Sequence, residues 1–199
     1  MQAQEGVLAP PKKHSLIQIY NFDDLPLIAM NIARIGAQTP SMASEVMGDR
    51  ARQSKNITKG ETVTAVIGFG PMMWILITPD APVRGGFRAF GETEINGTEV
   101  PETNGDMFLY CSSNKAELNR VLAERVEEQF GGKGKLIEEI TLEGGEHSDI
   151  EKEKEKVLVN NANNLDTVQS SFVLTQMFKA NVESSCNLPQ LRFSCKAKL

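Results

Sequence analysis

Residues 106–142 read DMFLYCSSNKAELNRVLAERVEEQFGGKGKLIEEITL. Three elements follow one another in this stretch. Residues 106–112 are an apolar run of strand length. Asn114 is placed to cap a helix over 115–129, because Leu118, Val121, Leu122 and Val126 recur on one face at helical spacing. Gly131-Gly132 stops that helix. Residues 135–142, KLIEEITL, alternate unevenly but carry strand content. The order is β-α-β.

The same order precedes it. Residues 14–22 supply Leu16, Ile17, Ile19, Tyr20 and Phe22, β-branched and aromatic bulk suited to a strand, and Asp23-Asp24 ends it. Leu27, Ile28, Met30, Ile32, Ile35, Met42 and Val46 then recur near helical spacing. Pro40 predicts a break or kink, with Ser41 capping a second segment. Residues 62–69, TVTAVIGF, are the next strand, closed by Gly68 and Gly70-Pro71. Residues 72–77 make one short helix. From 78 to 105 Gly, Pro and Thr predict a long surface loop, a length that inside a domain is often functional. Two β-α-β units around a loop give an α+β, ferredoxin-like fold: βαββαβ, with an antiparallel sheet and both helices on one face.

Beyond Gly144-Gly145 the character changes. Residues 151–156, EKEKEK, read as a solvated linker, and an Asn-rich stretch, 160–164, follows. Residues 171–178, SFVLTQMF, suit one more strand, and 183–199 have no period. The expected organisation is an arm (1–13), a ferredoxin-like domain (14–145), a linker with the partial start of a second half (146–182) and an irregular tail (183–199).

Composition narrows the function classes. Of 199 residues, 40% are hydrophobic and 24% charged, which is ordinary for a globular chain with room for a core. A net charge of −5 argues against a nucleic-acid partner, and Lys12-Lys13 read as solvated surface. The greasiest run, residues 72–77, is far too short to cross a bilayer, and residues 1–11 have no secretory core. A cytoplasmic setting is the default. Cys111 reads as a small core residue; Cys186 and Cys195 are expected as free thiols, although a short-loop pairing stays open in an oxidising compartment. His14 and His147 form no metal spacing with the cysteines, and each reads as a surface residue. Glu138-Glu139, Glu143 and Glu146-His147-Asp149 could gather a cation, but an exposed acidic edge is the preferred reading. Asn56-Ile57-Thr58 and Asn96-Gly97-Thr98 fit the glycosylation pattern, which matters only after secretion.

Several of these pieces together resemble the dye-decolourising (DyP-type) haem peroxidases. Gln4-Glu5-Gly6-Val7-Leu8-Ala9-Pro10 before the first strand is similar to the family's start. Val66-Ile67-Gly68-Phe69-Gly70 with Trp74 resembles its second strand and following helix, and Gly105-Asp106-Met107-Phe108-Leu109 its third strand. Ser171-Phe172-Val173-Leu174-Thr175-Gln176 resembles the first strand of its second half. The resemblance implies the dimeric α/β-barrel type superfamily, two ferredoxin-like halves with the second one incomplete here, haem as cofactor, and peroxide-driven oxidation of dyes and phenols. A homo-oligomer is expected, because a single ferredoxin-like sheet leaves a face or edge that wants covering, and charge and hydropathy predict neither nucleic acid nor membrane as partner.

The family's fingerprint is Gly-x-x-Asp-Gly-Thr-x-Asn-Pro. Laid on this chain, it falls on Val157, Asn160, Asn161, Ala162, Asn164 and Leu165, and only Asn164 agrees. By position Val159, Asn160 and Asn161 are the cofactor-binding candidates, with Asn160 at the distal Asp position. A carboxylate can take the peroxide proton and an amide cannot. The family's proximal His lies downstream of the motif; here no histidine follows His147, which remains a remote metal candidate. Three functions stay open: a haem peroxidase, a non-catalytic relative kept for oligomerisation or partner binding, and a porphyrin binder without turnover.

Overall fold

The computed structural model describes residues 9, 12–53, 61–80, 93–95, 98–100 and 105–144. The chain divides into two compact units, one holding the main sheet and its helices and the other holding a small hairpin. The main unit runs β1 (His14–Phe22), α1 (Leu25–Gln53), β2 (Val63–Phe69), α2 (Pro71–Ile77), β5 (Met107–Ser113), α3 (Ala116–Glu128) and β6 (Gly134–Glu143). Its sheet has the order β2-β5-β1-β6 with every neighbouring pair antiparallel. This is the ferredoxin-like arrangement, a four-stranded antiparallel sheet with its helices on one face.

Side-chain alternation explains why the helices choose that face. Leu16, Tyr20 and Phe22 of β1 share a face with Met107, Leu109 and Cys111 of β5, because the register sets Leu16 opposite Cys111, Tyr20 opposite Met107, and Leu109 opposite Gln18 of that same face. These six apolar residues belong to one buried cluster with Ile28, Ile32, Ile35 and Val46 of α1, Met73 of α2 and Leu118, Leu122 and Val126 of α3. The apolar stripe of α3 is therefore the one its spacing predicts. Phe130, after that helix, meets Tyr20 and Phe22 edge-on at 4.9 and 5.3 Å between ring centroids. Such pairs add about 1 kcal/mol each beyond burial.

Helix α1 corrects one expectation. It runs unbroken through Pro40, with no second segment beginning at Ser41. A mid-helix proline costs about 3 kcal/mol, but here buried residues flank it on both sides: Ile32 and Ile35 before it, Met42, Ala43 and Val46 after it. A continuous helix buries both groups in one cluster, and packing rather than propensity decides. Thr39 Oγ1 also donates to the Ile35 carbonyl at 2.8 Å, and Ser44 Oγ to the Pro40 carbonyl at 3.1 Å.

The helix cap is a second correction. Asn114 does not cap α3; its Oδ1 accepts from the Lys13 N–H at 3.4 Å. The turn into the helix is closed by Ser113, whose Oγ accepts from the Lys115 N–H at 3.3 Å and donates to the Lys115 carbonyl at 2.5 Å. The loop expected between 78 and 105 contains a hairpin, β3 (Thr93–Ile95) with β4 (Thr98–Val100). The pairing of Ile95 with Thr98 leaves Asn96 and Gly97 between the strands, the dipeptide that a two-residue hairpin turn favours.

Candidate functional site

Two of the segments that carried the resemblance, around Gly70 and around Gly105-Asp106, meet at one end of the sheet. Gly70 follows β2 and Gly105-Asp106 precedes β5. The Gly70 N–H donates to the Asp106 carbonyl at 2.9 Å, and the Asp106 N–H donates to the Tyr20 carbonyl at 2.9 Å. The Asp106 carboxylate accepts from the Phe22 N–H at 2.9 Å. Three strands are thus tied where β1 and β2 end and β5 begins. No side chain fits between them: a Cβ on Gly70 would lie 2.2 Å from the Gly105 carbonyl oxygen, and one on Gly105 2.2 Å from Ile19 Cγ2. Burial raises the Asp106 carboxyl above its ordinary value, with the Phe22 N–H opposing the shift.

A polar line crosses the same strand. The Tyr20 hydroxyl donates to Gln18 Oε1 at 2.7 Å, and Gln18 Nε2 donates to Glu139 Oε2 at 2.8 Å. Arg120 Nη1 lies 3.4 Å from the other Glu139 oxygen. Burial first, then the negative charge of Glu127 and Glu139, raises the Tyr20 phenol well above its ordinary value. The phenol is held as a donor, and the line satisfies a buried tyrosine through an edge-strand carboxylate. A glutamine in the middle of an apolar strand was the sequence signal for it.

An open depression of about 310 Å³ lies beside the Gly131-Gly132 turn, lined by Glu124, Glu127, Glu128, Phe130, Gly132 and Gly134. Its polar lining is carboxylate. His14 stands at the start of β1, with Nδ1 3.9 Å from Glu143 Oε1 and its ring four-fifths covered, so it is more enclosed than a surface reading implies. The thiol of Cys111 is buried and pushed up to about 12, in keeping with a core role. Glu139 and Glu143, two of the five carboxylates of the expected acidic edge, face Arg120, Gln18, Lys13 and His14. Among the described residues no group of three or more His, Cys, Asp or Glu is placed to hold a metal ion.

The sequence candidates Val159, Asn160 and Asn161 lie outside the described residues, as do His147, Cys186, Cys195 and the strand expected at 171–178. Neither the depression nor His14 is suited to haem. The depression offers carboxylates where an anionic porphyrin would need cations or neutral donors, and His14 is turned to Glu143.

The fold belongs to a defined class, ferredoxin-like, and in fold the chain is similar to solved DyP-type peroxidases. No family model and no curated protein matches the sequence. Among solved structures, a variant of Rhodococcus jostii DypB in complex with heme superposes with a TM-score of 0.70 at 16% identity, over 86% of this chain and 56% of that one. A dye-decolorizing peroxidase from Bacteroides thetaiotaomicron gives 0.57 at 18% identity, over 70% and 42%. The encapsulated DyP-type peroxidase of Mycobacterium smegmatis gives 0.57 at 17%, over 73% and 43%. The chain therefore spans about half the length of these structures, 42–56%. At these identities the likeness is one of fold.

Proposed function

We propose that this chain is a DyP-like protein whose ferredoxin-like unit serves as a folded, self-associating module, with haem-peroxidase turnover impaired. The observation that carries the reading is the use made of its family-like residues. Gly70, Gly105 and Asp106 are all engaged in tying β1, β2 and β5 together, which leaves none of these three for a ligand. At the distal position Asn160 stands where the family has a base, and an amide cannot accept the peroxide proton.

Exposed apolar side chains favour the self-association half of the reading. Leu27 and Met30 of α1 are 64% and 73% exposed, and Met72 and Ile75 of α2 are 59% and 40% exposed. Each pair is three residues apart and so lies on one helix face. Apolar surface of this kind marks interaction sites when it is contiguous. A cytosolic setting completes the reading.

The test is a UV–visible spectrum of protein expressed with haem supply, joined to sedimentation and a haemin titration of the purified protein. The expected result is an oligomer with no Soret band and no peroxide-dependent dye oxidation. A Soret band at stoichiometric occupancy with turnover overturns the impaired reading. Saturable haemin binding without turnover replaces it with porphyrin binding, and a monomer removes the self-association.

A further inference from the structure

No further inference is drawn: the strongest candidate, the open depression beside the Gly131-Gly132 turn, rests on a cluster of exposed glutamates, Glu124, Glu127 and Glu128, with no second observation that points to a ligand.

Discussion

Strands β1 and β6 run side by side and antiparallel, yet they are built on different terms. From Leu16 to Tyr20 five consecutive residues of β1 are buried, whereas no residue of β6 is. Leu16 and Tyr20 join the helix-side core, while Ile17 and Ile19 lie on the other face and are buried as well, at 1% and 8% exposed. A strand covered on both faces needs a continuous apolar run, and a strand open on one side can alternate. Strand β6 alternates between half-buried and exposed residues from Glu138 to Glu143. The centre is specified by shape, down to positions where only glycine fits; the edge is specified by charge and by a bulge. Substitutions in the two strands should therefore differ in kind as well as size.

The largest effect is expected where the aromatic residues meet the central strand. Phe130→Ala removes the ring that packs on Tyr20 and Phe22, and loss of a buried phenylalanine costs about 4 kcal/mol. Urea denaturation should show the midpoint fall to the point where little native protein remains. A cost under about 1 kcal/mol would place the core elsewhere.

Close behind come the glycines. Gly70→Ala drives a methyl into the Gly105 carbonyl, and because backbone must move, overpacking should cost about 3 kcal/mol. In Gly105→Ala the obstacle is the Ile19 side chain instead. A cycle with Ile19→Ala separates the two cases: the double variant should be more stable than the sum of the singles by about 1 kcal/mol or more. Additivity within about 0.4 kcal/mol would show that Ile19 is not what excludes a side chain at 105.

A smaller, pH-dependent effect is expected at Asp106. Its folded carboxyl sits above the ordinary value, so the native state holds the proton more tightly than the unfolded chain does. Its contribution to stability is full below the unfolded value and is lost as pH rises through the folded one. Asp106→Asn keeps an oxygen for the Phe22 N–H and removes the titration. The stability difference between variant and wild type should thus move in the variant's favour as pH climbs out of the carboxylate range. A difference flat from pH 3 to 7 would contradict the burial argument.

The sequence was readable where one physical effect dominated. Four strands and two principal helices of the sheet unit follow from apolar period, because burial on one face or two leaves that period in the residues. It was misread where effects competed. Pro40 weighs against a helix locally, but the buried residues on either side of it hold α1 as one continuous helix. At the start of α3, Ser113 and Asn114 are both good capping types, and only the register with β1 sends Asn114 to Lys13. Asn96-Gly97 was a hairpin signal hidden in a stretch otherwise rich in loop formers. The candidate site was less legible still. Gly70, Gly105 and Asp106 carry the family likeness, but a sequence does not say whether a glycine makes room for a cofactor or for another strand; here it is another strand. The positions around Asn160 fall outside the described residues, so their role stands as proposed.

The smallest expected effect on stability is also the one that most sharpens the contrast between the strands. The pairing of β6 with β1 steps from Glu138 opposite Ile19 to Leu136 opposite Tyr20, so Ile137 is an extra residue in a bulge, and it is 45% exposed. That bulge is also why KLIEEITL alternates unevenly. A bulge twists an edge strand, and charged side chains such as Lys135 and Glu138 discourage a further strand from adding to it. Deleting Ile137 leaves Leu136 and Glu138 on the faces they already occupy and restores an unbroken ladder. The cost should stay within about 0.5 kcal/mol, because no buried group is lost. What should change is association: with the bulge gone the edge is flatter, and the variant should form larger species by sedimentation at concentrations where the wild type is uniform. If the deletion instead destabilises by several kcal/mol and association is unchanged, the bulge is a packing element like Gly70, and β6 is held by the same close fit as β1.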